Sequence, residues 1–570
     1  MKKSWIIFCA LLFVCSGAVA GTYSQFDTLI SVPAGATGTA SGDTSPATSS
    51  TIHLDARVYI PDGVAAPAPV VVVVPGYGGS KTNGSVVAVA QDLASQGYVV
   101  LTPSVRGFGD SDGLVTLAGP NEVNDLKTMI LAMQTGAIGD SPAITVPVDA
   151  TSKFGVTGPS YGGGHSFEIM RTHVNGLTAV APVISWTDLY QALSPNDVPK
   201  VSYQLALFAG GFDTANPNYD QQMFDWAKDL IGGHPEDMRT GDPQSNIDWR
   251  SVIFNPTELT VPVFVVQGWH DWLFPAEQAT SLFQSTTAIP FFKMYIGGLG
   301  HPPADSDITT PEALYLRAQL VRWFDYWLKG VANGITSEPR VTVGPERTAL
   351  WTQASLVTSN TFPLPGTTNS TYYFNGLKLL TSGPKGKALI IKPTSGLPGV
   401  LQPLQNAIGA DASTLIGAII AVNATLNTGG DVFSPNLNTS LDTGANSISF
   451  TTAPLTQNVH VVGLPEFALS VSATNSDAYY YAEVTEVNAK GSEHLVSRGA
   501  FKDHTANFGG THEIDFSGFG VNHVFDAGNR IRVRVASRDF PFFYVTSSQP
   551  TIKIYRTAAH PSHIVLPVVP

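Results

Sequence analysis

Five consecutive valines, Val70 to Val74, run into Pro75-Gly76. An apolar run without alternation predicts a strand covered on both faces. Short apolar runs recur at Tyr98–Thr102, Phe154–Thr157 and Val261–Gln267, with helical patterns between them at Ser85–Gln96 and Asn121–Met133. Alternation of this kind predicts a mostly parallel α/β sheet over about 51–335. The rhythm breaks at about 187–255, where aromatics and amphipathic pieces such as Asp220–Ile231 predict an inserted helical cap. Arg317–Leu328 reads as an amphipathic closing helix that stops at Lys329-Gly330. From 338 to 570 the period changes to two, at Glu466–Ala473, Ala478–Val487, Arg530–Ala536 and Thr551–Tyr555. That pattern predicts an all-β sandwich. Residues 396–440 fit it poorly and receive no assignment, although Leu415–Val422 within them reads as a buried helix or strand. Residues 21–50, rich in Gly, Ala, Ser and Thr, predict an extended, loop-dominated lead-in.

Residues 1–20 carry a different signal. Lys2 and Lys3 precede an apolar core from Trp5 to Val14, and Ala18-Val19-Ala20 supplies small residues. This is the layout of a secretory signal peptide cut before Gly21, which predicts export to the periplasm or the medium. The apolar run is too short to span a bilayer, and no later stretch is long enough. Both cysteines, Cys9 and Cys15, lie inside this segment, so the exported chain is expected to hold no internal disulfide. Charged residues make up 13% of the chain, about half the usual share. A net charge of −13 with no Lys/Arg cluster excludes a nucleic-acid partner. A homo-oligomer is left open.

The candidate chemistry begins at Gly158-Pro159-Ser160-Tyr161-Gly162, a G-x-S-x-G pattern. It stands between the strand Phe154–Thr157 and a helix-compatible stretch from Gly163 to Arg171. A sharp strand-to-helix turn lifts a serine hydroxyl clear of the backbone, and glycines two before and two after relieve the crowding. The serine needs a base, and the base needs a carboxylate to orient it. Asp271 follows the strand Val261–Gln267, and His301 follows Phe292–Ile296, in the order Ser, Asp, His. Asp188 is the rival acid and His270 the rival base. For the oxyanion, the expected donors are the Tyr161 N–H and Tyr77, by backbone or by phenol. Trp186, Trp269 and Trp272 are candidates for an apolar substrate pocket. No H-E-x-x-H, calcium loop or nucleotide loop is found, so no metal or cofactor is expected.

With these residues in place, the chain resembles the family of cocaine esterase, X-Pro dipeptidyl-peptidases and α-amino-acid ester hydrolases. The resemblance rests on Gly158 to Gly163, Arg106 to Gly113, Gly268 to Asp271, Gly297 to His301, Trp323 to Gly330, Phe525 to Arg532 and Asp539 to Pro541. It implies an α/β-hydrolase domain with a helical cap, followed by a galactose-binding-like jelly roll. It also implies a triad of Ser160, Asp271 and His301, with a tyrosine at the position of Tyr77 donating to the oxyanion. Pro75-Gly76-Tyr77-Gly78 departs from the family's usual Pro-Tyr, and 396–440 is a second departure. The expected substrate is a small ester or a short peptide. Esterase is preferred to dipeptidyl-peptidase, with a dead hydrolase scaffold that binds carbohydrate as the non-enzymatic reading. A dipeptidyl-peptidase would need cap carboxylates for an α-ammonium, and Glu236 and Asp237 are the candidates.

Overall fold

The computed structural model describes residues 21–35, 51–301, 308–346, 350–393, 399–426, 447–505, 510–544, 546 and 548–570. The segment 1–20, read as a signal peptide, lies outside them, as do 36–50 and 427–446.

The valine run forms the strand Val70–Val73, every residue of which is buried. Its side chains divide by parity, as the pleat requires. Val70 and Val72 join one apolar core with Leu126, Ile130 and Met133, and Val71 and Val73 join another with Leu93, Trp323 and Phe324. The strand therefore has helices on both faces, which is why no polar residue interrupts it.

It belongs to a 10-stranded sheet. In spatial order the strands are Tyr23–Pro33, Thr51–Pro61, Val99–Pro103, Val70–Val73, Phe154–Pro159, Leu177–Val183, Val263–His270, Phe292–Gly300, Val341–Val343 and Val357–Ser359. From Val99–Pro103 to Val341–Val343 all neighbours run parallel, and the outer pairs are antiparallel. The chain leaves the sheet after Leu177–Val183 to build the cap, whose helices are Leu189–Leu193, Val201–Gly211 and Gln221–Gly232.

Two expectations need correction, and one unassigned stretch gains a structure. Tyr23–Pro33 is no loop: it pairs with Thr51–Pro61 along its whole length as the edge of the sheet. The stretch after 338 does not begin the β-sandwich at once. Val341–Val343 and Val357–Ser359 extend the 10-stranded sheet instead, and strands of three residues carry too little periodicity to reveal which sheet they join. Within 396–440, Gln402–Ala407 and Ala412–Leu426 are helices. Leu415, Ile416, Ile419 and Val422 are buried at helical spacing, and their helix packs on the cap helix Val201–Gly211.

The remaining strands, from Thr368–Asn375 to His563–Val569, form a mainly antiparallel all-β unit. Its core holds Phe374, Phe450, Leu469, Tyr480 and Val533, with Phe374 stacked on Phe450 at 4.0 Å between ring centroids. Among the described residues no helix is long and apolar enough to cross a membrane.

The helix Pro311–Lys329 is tied to the sheet by Phe324, which is fully buried. Its ring fills the space over Gly155, where an added Cβ would come within 2.3 Å. Phe324→Ala leaves a cavity the sheet cannot close and is expected to cost about 3–5 kcal/mol. The check is the urea midpoint, which falls at unchanged slope.

Candidate active site

Ser160 sits between the Phe154–Pro159 strand and the helix Tyr161–Glu168, with φ 56° and ψ −115°. A left-handed φ is unfavourable for a serine and has to be imposed by its surroundings. Its N–H donates to Val183 O at 2.8 Å, and its carbonyl accepts from Gly163 N, Gly164 N and Ser185 Oγ at 2.9, 3.1 and 2.8 Å. The turn is tight enough to exclude side chains beside it. A Cβ at Gly158 would come within 2.2 Å of Val74 O, and one at Gly162 within 2.0 Å of the same atom.

The partners arrive from the ends of two later strands. Ser160 Oγ lies 2.9 Å from His301 Nε2, and His301 Nδ1 lies 2.9 Å from Asp271 Oδ2. The other oxygen, Asp271 Oδ1, accepts from Leu273 N at 3.1 Å and Phe274 N at 2.8 Å. Asp271 is fully buried, and Ser160 and His301 are nearly so. With Nδ1–H held by the carboxylate, Nε2 presents a lone pair to the serine proton, as a base-activated nucleophile requires. The rivals lie elsewhere. Asp188 caps the helix Leu189–Leu193 by accepting from Gln191 N at 3.0 Å, and His301, not His270, bridges Ser160 and Asp271.

An apolar cavity opens over Ser160. Tyr77, Leu117, Trp186, Phe208, Met223 and Trp226 are among the residues that line it. Trp186 lies where expected, its Nε1–H donating to Arg250 O at 2.7 Å. Trp269 and Trp272 do not line the cavity. Trp269 packs toward Phe362, and Trp272 packs between Phe519 and Phe542 of the β unit. Burial of large aromatics is alike in core, interface and cavity wall, so sequence position could not separate them. Glu236 also lies outside the lining, with Oε1 3.0 Å from Lys502 Nζ; Asp237 does not line it either. Gln204 Nε2 donates to Leu193 O at 2.9 Å, while its Oε1 has no hydrogen-bond partner among the described residues.

Tyr77 stands on the turn after the valine strand, closed by Gly79 N to Gly76 O at 2.9 Å. The loop lies against the nucleophile, since a Cβ on Gly76 would be 3.7 Å from Ser160 Cβ. The Tyr77 phenol is buried, which raises its pKa, and its ring centroid lies 6.4 Å from that of Tyr219. Tyr161 is the first residue of its helix, so its N–H has no acceptor within the helix. Its hydroxyl is anchored below on Glu122, which also accepts from Ala118 N at 2.9 Å and faces His165 Nε2 at 3.3 Å. Burial pushes the Glu122 carboxyl up, but His165 and Tyr161 outweigh it and leave the pKa lowered. Beside it Arg106 grips Asp125 with two contacts of 2.7 Å. Sequence reasoning passed over this buried support, although the Arg106–Gly113 segment marked one end of it.

The residues 50–302 match a family model described as X-Pro dipeptidyl-peptidase (S15 family). Residues 333–565 match one described as X-Pro dipeptidyl-peptidase C-terminal non-catalytic domain. Cocaine esterase of Rhodococcus sp. is 20% identical over 548 residues, 84% of this chain and 89% of that protein. A Bacillus anthracis protein that bears the name Xaa-Pro dipeptidyl-peptidase is 28% identical over 268 residues, 44% of this chain. The match spans 42% of that relative's length. Among solved structures, a CocE/NonD family hydrolase from Staphylococcus aureus shares the fold with a TM-score of 0.65 at 15% identity, over 97% of both chains. An α-amino acid ester hydrolase does so with 0.65 at 16%, over 99% of this chain and 98% of that one. The sheet order and the serine elbow define a serine hydrolase on the α/β-hydrolase scaffold. The chain belongs to the family of cocaine esterase and X-Pro dipeptidyl-peptidase, with a catalytic α/β unit and a C-terminal all-β domain.

Gly162→Ala tests the elbow. Its Cβ would collide with Val74 O, and displacing the serine by even about 1 Å is expected to cost at least 100-fold in turnover. The measurement is the rate of fluorophosphonate labelling beside a circular-dichroism spectrum.

Proposed function

We propose that the chain is an exported carboxylic-ester hydrolase that works through an acyl-Ser160 intermediate. The observation that carries the preference for esters is the cavity lining, which contains no carboxylate among the described residues. A dipeptidyl-peptidase must hold the substrate's free α-ammonium, and an unpaired cation in an apolar cavity is costly. Glu236, the cap carboxylate nominated for that task, is paired with Lys502 instead. An ester brings no such charge, and the wall of Leu189, Leu193, Leu207, Phe208 and Met223 suits an apolar acyl or alcohol group.

In this reading Ser160 Oγ attacks the ester carbonyl as its proton passes to His301 Nε2. The imidazolium, oriented and stabilised by Asp271, then protonates the departing alcohol. Water repeats the sequence to release the acid. The developing oxyanion is held by the backbone N–H groups of Tyr161 and Tyr77. The backbone of Tyr77 is favoured over its phenol because the ring is packed among Tyr161 and Tyr219. Ser160→Ala is expected to lower kcat by about 10⁶ and to abolish fluorophosphonate labelling; equal labelling of the variant, or none of the wild type, would leave a binding protein on a dead scaffold. Short-chain nitrophenyl esters are expected to be hydrolysed and a Gly-Pro anilide left intact, whereas cleavage of the anilide alone would make the protein a dipeptidyl-peptidase.

Tyr77→Phe separates the two oxyanion readings. It keeps the N–H and should lower kcat less than about tenfold, against the 10²–10³ that loss of an oxyanion donor costs. Export rests on the first twenty residues, and N-terminal sequencing of the exported protein is expected to begin at Gly21.

A further inference from the structure

Away from the serine, three groups from separate parts of the chain converge. Glu346 follows the Val341–Val343 strand of the catalytic sheet, while His494 and His523 stand on the β-domain strands Glu493–Asp503 and Val521–Phe525. Each offers one ligand atom, and the three atoms lie within 4.8 Å of one another. Glu346 Oε1 is 2.9 Å from His523 Nδ1 and 4.0 Å from His494 Nε2.

The far side of His523 is the informative one. Its Nε2 lies 3.0 Å from Glu486 Oε2. The other oxygen of Glu486 already accepts from Asp526 N and Asn529 Nδ2, each at 2.8 Å. Glu486 is thus a fixed acceptor, and it draws the ring proton to Nε2. That tautomer leaves Nδ1 as a lone pair aimed at a carboxylate oxygen 2.9 Å away. At this distance either a second ring proton or a metal ion bound by both atoms must compensate the two facing acceptors. A carboxylate behind the outer nitrogen of a ligating histidine is the arrangement metal sites use to fix the tautomer and raise the basicity of the ligand.

We propose that Glu346, His494 and His523 bind a divalent metal ion of the zinc class, with Glu486 as the positioning residue behind His523. Two imidazoles and one carboxylate suit zinc, whereas calcium and magnesium want oxygen ligands. Metal–ligand bonds of about 2.0–2.2 Å place tetrahedral ligand atoms roughly 3.3 Å apart, so His494 must move in by on the order of 1–1.5 Å while Glu346 and His523 part by about 0.4 Å. His494 is exposed and gives the ion a route in from solvent, and a fourth position remains for water. The ion joins the catalytic sheet to the β domain, where Asn522 Nδ2 already donates to Gly344 O at 2.8 Å. Its role is structural and independent of the ester reading.

The test uses the full exported chain without an affinity tag, stripped with EDTA and dialysed. Zn²⁺ is expected to bind at one equivalent and raise Tm, and Co²⁺ to give visible d–d bands that Zn²⁺ displaces. His494→Ala and Glu346→Gln should weaken Zn²⁺ binding at least tenfold, and Glu486→Gln by about 10–100-fold. All three should keep wild-type fluorophosphonate labelling, which shows that they fold. Absence of stoichiometric Zn²⁺ binding in the wild type overturns the site, because a proton then bridges His523 and Glu346. Equal binding by His494→Ala and the wild type overturns it as well.

Discussion

The carbonyl oxygen of Val74 governs the geometry of the active site. Two glycines, Gly158 and Gly162, press against this one atom so closely that neither could carry a Cβ. Their contact brings the end of the valine strand up to the elbow, and with it the Gly76–Gly79 turn that carries Tyr77. The same compression forces Ser160 into its left-handed backbone, a strain of about 1–3 kcal/mol that four hydrogen bonds around its N–H and carbonyl hold in place. A looser turn would relieve the serine but withdraw both the hydroxyl and the Tyr161 N–H. Strain and chemistry have one cause.

The acid is held from a different direction. Asp271 receives its N–H donors from its own turn, but the carbonyls of that turn are fixed by the cap. Lys200 Nζ donates to Trp272 O at 2.7 Å and Leu273 O at 3.1 Å, and it lies 4.5 Å over the ring of Phe519 in the β domain. Burial pulls the Lys200 pKa down to about 7. Trp272 is wedged between Phe519 and Phe542, with Arg498 5.0 Å from its ring. The β domain is therefore one wall of the acid turn. Its packing reaches Asp271 through a tryptophan that sequence position alone would assign to a substrate pocket.

That contrast marks how much could be read in advance. Ser160, Asp271 and His301 were legible because each depends on a local pattern, a strand end followed by a turn, and their order along the chain follows the sheet. The central strands were legible because burial on both faces leaves an unbroken apolar run. The Arg106–Asp125 pair and the Glu122–Tyr161–His165 cluster were not, because a buried charge pairs by proximity and leaves no periodic trace. The helix Ala412–Leu426 shows an intermediate case: its apolar stretch was visible, but its partner, the cap helix Val201–Gly211, is some two hundred residues away. Trp269 and Trp272 form the clearest failure. Both stand at the turn that carries Asp271, yet they serve two packing faces, while Trp186, far from them in sequence, is the one that lines the cavity.

The chemistry of the cavity wall sets what kind of selectivity the site can have. Apolar walls discriminate weakly: one methylene more or less is worth about 1–3 kcal/mol. Sharp discrimination needs a buried polar group that the wrong ligand leaves unpaired, and it can then reach about 10⁴–10⁵-fold. Gln204 lines the cavity, and its buried Oε1 has no donor among the described residues. A ligand with a hydroxyl or N–H near the cap would satisfy it, and one without would not. Leucine, methionine and tryptophan surfaces of this kind limit size and polarity, and directional selectivity would require a polar group such as the Gln204 amide to reach the ligand.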